Sequence, residues 1–406
     1  MRVLWVWRRL GRCGGCAALA AAMAISVVVG AGAAQAQPGT RLGWRSSAVS
    51  WGDNFVGQLG NGTTAGSVAP GGISGLSSGI VQVSAGQQHG LALASDGTVW
   101  AWGEGSSGEL GNGFLNESTT PVNVVGLSGV TQVSAGTQHS LALRSDGTVW
   151  AWGQNLNGEL GNGTTYFAQP APVQVPGLTG VTQIAAGDFF NLALRSDGTV
   201  WAWGDNRVGQ LGDGSTAAES DVPVQVSGLS RVIMIAAGKG TAMAVTRRSF
   251  ISTQTTVWTW GWNFYGQIGD GTFTNRLTPV PVAGIGAPVV AGIAEGYGDS
   301  LALGSDGSVW AWGADMGGQL NGYPTQAPQP TPAEVAGMGS GITQIAAGDG
   351  PTLVLYSDGT VYTWGYNPAG QLGRVQVAGL TNATQVAAGE DFSLAIHLTP
   401  PIIILR

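Results

Sequence analysis

The sequence predicts an all-β fold, a seven-bladed β-propeller of four-stranded blades, closed by a blade split between the N- and C-terminal segments. Three observations predict it. Trp-Gly pairs recur at Trp51, Trp102, Trp152, Trp203, Trp260, Trp312 and Trp364, spaced 50 to 57 residues apart. A small-residue turn such as Ala135-Gly136 recurs in step with them, in one copy as Glu295-Gly296. The repeats also begin and end out of phase, so that two partial copies complete one another. Composition agrees: Gly reaches 69 residues while charged residues are only 10%, which suits a turn-dense, strand-rich chain and excludes a charge-rich disordered one. The glycines follow no triplet period, which excludes a collagen-like chain.

In chain order, residues 1–36 read as an export signal. Arg2, Arg8, Arg9 and Arg12 make a basic start, residues 17–34 an apolar stretch, and Ala34-Gln35-Ala36 a small-residue cleavage site before Gln37. Retention as an N-terminal anchor is the alternative, because the apolar stretch could just span a bilayer. Cleavage would remove both cysteines, Cys13 and Cys16, leaving no disulfide and no thiolate metal site. It would also leave 12 Lys and Arg against 23 Asp and Glu, a net charge of −11. Such a surface repels phosphate backbones, so no nucleic-acid partner is expected. A secreted, periplasmic or cell-surface monomer with no stable membrane span is the expectation.

Residues 37–43 are a short leader, 44–398 the propeller and 399–406 a C-terminal tail. Within one copy, residues 130–134, 140–144 and 148–152 read as three strands and 172–175 as a weaker fourth, whose Pro172 suits an outer edge. Ser145-Asp146-Gly147-Thr148 reads as a tight hairpin. Trp150 and Trp152 lie two apart and share one face of the sheet, with Ala151 on the other. Residues 47–51 read as an isolated third strand, completed by 384–387 and 393–398 at the far end, which removes the free sheet edges.

The stretch from 135 to 163 contains Ala-Gly-x-x-His-Ser-Leu-Ala-Leu, then Ser-Asp-Gly-Thr-Val-Trp-Ala-Trp-Gly, then Asn-x-x-Gly-Glu-Leu-Gly-Asn-Gly. These motifs resemble the regulator-of-chromosome-condensation repeat, in register over roughly residues 44–398. The resemblance implies two precedents: a nuclear guanine-nucleotide exchange factor that docks on chromatin, and secreted bacterial propellers, including a β-lactamase inhibitor, that grip a protein with face loops. An acidic chain with an export signal fits the second better.

No catalytic constellation is legible. His89 and His139 share one repeat position with Phe190, Thr241, Asp299, Pro351 and Phe392, and read as hydrogen-bonded turn residues. The Ser-Asp pairs read as turn chemistry. No metal, cofactor or phosphate-binding spacing appears. The expected function is therefore binding without catalysis, with no cofactor. Loops joining the first to the second strand and the third to the fourth should share one face. Its candidate binding residues are Asp188, Phe189, Trp262, Phe264, Tyr265, Tyr297, Asp349, Glu390 and Asp391, with aromatics concentrated in the middle repeats. A protein partner is expected, such as an extracellular enzyme or envelope component; a glycan-binding or adhesion module is the alternative.

Overall fold

The computed structural model describes residues 44–401 except 250–251, 288, 316, 321–326 and 366–373, together with the backbone of Val28–Val29. The expected export signal otherwise lies outside the described residues.

Seven antiparallel sheets form the ring, six built in chain order and one from both ends. Numbering blades along the chain, blade 1 contains Ile80–Ala85, His89–Ala94, Val99–Gly103 and Ser118–Asn123. Blade 2 contains Val130–Ala135, His139–Arg144, Val149–Gln154 and Ala168–Gln174. Blades 3 to 6 begin at Val181, Val232, Val290 and Ile342. Blade 7 takes its inner strands, Ala383–Ala388 and Phe392–Thr399, from the C-terminal side and its outer strands, Arg45–Gly52 and Ser67–Gly72, from the N-terminal side. The seam is sewn over its whole length, from Arg45 opposite Thr399 to Gly52 opposite Phe392. Val28–Val29 adds a fifth, parallel strand to blade 5, opposite Gly292 and Ile293.

The first three strands fall close to their expected positions. The fourth strand of blade 2 begins four residues earlier than expected, at Ala168, because the ladder slips between Ala151 and Gly153 and brings Gln169 opposite Gly153. That irregularity extends pairing into a polar, Pro-bearing stretch that alternation alone does not identify. His89 and His139 open second strands rather than lying in turns, with their rings fully buried.

The core lies between blades. One cluster joins Leu91, Val99 and Leu110 of blade 1 to Val133, Ala142 and Trp152 of blade 2. Opposite each buried tryptophan stands a shorter side chain or none: Trp102 pairs with Gly90, Trp152 with Ser140 and Trp260 with Ala242. A Cβ on Gly90 would lie 2.5 Å from the Trp102 ring, which explains the glycine. The buried Trp-Gly indoles from Trp102 to Trp364 each tie their blade to the one before, as Trp152 Nε1 donates to the Glu109 carbonyl at 2.8 Å and Trp203 Nε1 to that of Glu159 at 2.9 Å.

Glutamines on the innermost strands add a second tie. Gln132 Nε2 donates to the Ile184 carbonyl, and the Ile184 amide donates back to Gln132 Oε1. Gln385 and Val83 repeat this bond pair between blades 7 and 1, closing the ring at 3.1 and 2.9 Å. Blades 4 and 5 carry Met234 and Gly292 at the glutamine position.

Candidate functional site

The loops from first to second strand converge on the mouth of the axial channel, which is lined by Gln87, Thr137, Asp188, Lys239, Asp349 and Glu390 around a ring of glycines. The glycines are required by crowding. A Cβ on Gly187 would lie 2.6 Å from the Gly238 carbonyl oxygen, and one on Gly389 would lie 2.7 Å from that of Gly86. Loops from third to fourth strand stand outside this ring on the same face. In four of them a buried asparagine sets the curve, and in blade 5 Asp315 does so, whereas blade 1 has Gly105 there: Asn263 Oδ1 accepts from the Ile268 amide, while Nδ2 donates to the Thr272 and Thr274 carbonyls. The frame is rigid, and only its tips vary.

Four of the expected residues meet at the junction of blades 4 and 5. Trp262 stacks on Phe264 with centroids 6.4 Å apart and meets Tyr265 and Tyr297 edge-on at 5.4 and 6.1 Å. Phe264 is 65% exposed, whereas Trp262, Tyr265 and Tyr297 are half-buried beneath it. The cluster is thus a supported platform with one open ring. Lys239 links it to the mouth: its Nζ lies 3.7 Å from the Tyr297 ring centre and 3.9 Å from Asp188 Oδ2.

Asp188, Asp349 and Glu390 line the mouth itself. Burial, with Asp188 and Glu390 close by, pushes the Asp349 carboxyl up to about 7 despite Lys239. Burial also raises Asp188, against the opposing effects of Thr137 and Lys239. Phe189 and Asp391 stay apart from both groups. Phe189 is half-buried beside Phe190 and joins none of the ring contacts of the cluster, and Asp391 has Asp53 and Glu390 as its charged neighbours. Exposed aromatics occur outside the middle repeats as well. Phe55 and Phe114, on the equivalent loops of blades 7 and 1, are 81% and 66% exposed.

Two residues absent from the expected set belong here, Lys239 and Glu295, together with Asp299. Glu295 lines the channel where six blades carry alanine, and Asp299 occupies the His89 position. Both are fully buried, with Glu295 Oε1 and both Asp299 oxygens lacking a hydrogen-bond partner. Burial drives the Glu295 carboxyl far above its ordinary range, with Asp299 adding to the effect, and pushes Asp299 up to about 7. The signal of Glu295 was its departure from the alanine of the other six blades. Among the described residues no cluster of acidic, histidine and cysteine side chains could hold a metal ion. His89 and His139 bond to Ser140 and Asn191 of the next blade at 3.0 and 2.7 Å, a structural arrangement.

The chain matches the RCC1-like domain over residues 42–251 and the regulator of chromosome condensation (RCC1) repeat over 256–303, 306–355 and 358–396. It is 32% identical to the ultraviolet-B receptor UVR8 of Arabidopsis thaliana over 301 residues, 72% of this chain and 67% of the receptor. It is also 32% identical to a stretch of the E3 ubiquitin-protein ligase HERC2 of Mus musculus, covering 75% of this chain but only 5% of the ligase. Among solved structures, yeast RCC1 (Prp20) in its complex with Kap60 superposes with a TM-score of 0.74 at 24% identity, covering 87% of this chain and 89% of that one. Human WBSCR16 does so with a TM-score of 0.74 at 23% identity, covering 88% and 100%. The motif register, the ring of blades and these matches agree: the chain belongs to the regulator of chromosome condensation repeat family.

Proposed function

We propose that this chain is an exported, non-catalytic scaffold that grips a protein partner with the face carrying the Trp262 cluster and the acidic channel mouth. The observation that carries this reading is the exposed Phe264 ring, backed by three half-buried aromatic rings on loops that a closed, rigid ring holds in place. Aromatic anchors on a pre-organised support give binding energy at low entropic cost, the usual make-up of a hot spot. The relatives include a receptor and a ubiquitin ligase, so the shared fold leaves function to the loops. Export rests on the basic, apolar and Ala-x-Ala pattern of residues 1–36.

Capture from envelope and extracellular fractions, with the chain beginning at Gln37 as bait, tests this reading alongside a glycan array. A protein retained by the wild type and lost with Phe264→Ala is the expected result. Retention only of glycans would establish the adhesion alternative in its place. Intact-mass measurement of the exported product should give a chain starting within a few residues of Gln37, and a full-length membrane-embedded product would overturn cleavage and establish the retained anchor.

A further inference from the structure

The glutamine ties on the innermost strands have two effects. Each links two blades, and each also covers the main chain of the receiving strand on the side of the axial channel. Gln132 takes both the amide and the carbonyl of Ile184. Gln82, Gln183, Gln344 and Gln385 do the same for Val133, Ile235, Val386 and Val83. Five of the seven junctions are closed in this way, and two are not. Met234 stands at the glutamine position of blade 4 and has no amide to offer Ile293. Gly292 stands at that of blade 5 and has no side chain to reach Ile345.

An uncovered strand edge is a template for another strand, because its amides and carbonyls need partners. Ile293 holds the place in Val290–Glu295 that Ile184 holds in Val181–Ala186, so it turns the same two main-chain groups toward the channel. A further strand is seated there. Val28 and Val29 pair in parallel with Gly292 and Ile293, which are the glycine that replaces a glutamine and the residue that Met234 leaves uncovered. The same two residues run beside the first strands of blades 4 and 6, Val232–Ala237 and Ile342–Ala347, which places them inside the channel. Being parallel to Val290–Glu295, they point toward Glu295 and the mouth.

We propose that the channel edge of blade 5 is a docking site for one extended segment of this chain, the stretch around Val28–Val29, which plugs the axial channel until the export signal is cut away. Its main-chain bonds take the place of those that a glutamine supplies at the tied junctions, the recognition mode of an added strand. The sequence Ile25-Ser26-Val27-Val28-Val29 is rich in β-branched residues, which suits that conformation. Release rests on the export reading above: cleavage before Gln37 removes the segment with the signal and leaves Ile293 facing an open channel.

Hydrogen exchange at the Ile293 amide, compared between the uncleaved full chain and the chain beginning at Gln37, tests the plug. Exchange should be slower in the full chain by about tenfold or more, whereas the Ile184 amide, covered by Gln132, should exchange alike in both. Acetyl-Ile-Ser-Val-Val-Val-Gly-amide, the sequence of residues 25–30, should restore slow exchange when added to the shorter chain. Val28→Pro lies outside the ring and removes a strand donor, so in the full chain it should bring Ile293 to the exchange rate of the shorter chain. Met234→Gln in the shorter chain should supply the missing tie, slow Ile293 without peptide and weaken peptide binding by about tenfold or more. Equal exchange in the two chains, protection that survives Val28→Pro, or peptide binding indifferent to Met234→Gln would overturn the plug. Any of these, with partner capture still lost in Phe264→Ala, would refute the plug and leave the scaffold reading standing.

Discussion

Trp152 is wholly buried, and its indole joins the Glu109 carbonyl of the preceding blade as well as filling the space between sheets. The spacing of Trp150 and Trp152 revealed the shared face. The bond was illegible, because its acceptor is a backbone carbonyl 43 residues earlier that only blade stacking brings close. Trp152→Phe removes the indole bond and part of the packing while Ser140 Oγ still donates to that carbonyl at 2.9 Å, so denaturant melts should show a loss on the order of 1–3 kcal/mol.

Buried titrating groups make opposite contributions as pH changes. His89 is held down to about 3 by burial, with His139 adding to the effect, so below pH 6.5 the unfolded chain binds a proton that the folded one refuses. That contribution to stability falls progressively between pH 6.5 and about 3. His89→Phe, which installs the residue found at Phe190 and Phe392, should flatten the acid side of the Tm profile. Glu295 has the opposite sign: its folded carboxyl is raised, so its penalty grows as pH climbs above the ordinary glutamate range. Glu295→Ala should therefore stabilise most near pH 8 and least near pH 4. A gain in Tm independent of pH would show that Glu295 is paired and charged in the folded protein.

Among the elements, the inner three strands of each blade were legible because alternation and a Ser-Asp-Gly hairpin bracket them. Asp146 Oδ1 accepts from both the amide and the hydroxyl of Thr148, which makes this turn locally encoded. Fourth strands were harder to place, being polar and reached across a bulge. The long Trp203 to Trp260 spacing resolves into a wider hairpin in blade 4, between Thr241–Arg247 and Thr255–Gly261. The short spacing after Gly373 leaves blade 6 with a two-residue outer strand, Val375–Gln376, and the connection before it lies largely outside the described residues. The most exacting element is the split blade. Deleting residues 383–406 removes both inner strands of blade 7 and the Gln385 tie to Val83, exposing the edges of Arg45–Gly52 and of blade 1. Aggregation or a large drop in Tm should follow, and an unchanged melt would mean that closure contributes nothing to stability.

On the scale of the whole molecule, seven copies of one motif specify a frame, and what distinguishes this chain is where the copies disagree. The acidic mouth and the aromatic platform share one face because first-to-second and third-to-fourth loops emerge on the same side. The sequence placed nine residues on that face. Seven of them fall into the two groups, while the lack of ring contacts from Phe189 to the cluster and the Asp53 side of Asp391 became visible only with the loop geometry. Glu295 was legible as the one departure from a repeated alanine, whereas Lys239 was hidden by its isolation: a single lysine acquires meaning only once the channel brings it to Tyr297 and Asp188.

The most direct test of this division between frame and face is to titrate the captured partner against Phe264→Ala and Asp146→Ala, with thermal melts run on both. Phe264 is largely exposed, so its loss should leave the melt unchanged and cost about 1–2 kcal/mol or more in binding. Asp146 holds a hairpin on the opposite face, so its loss should lower Tm and leave affinity as it was. Full binding by Phe264→Ala together with weakened binding by Asp146→Ala would contradict the account and place the partner on the other rim.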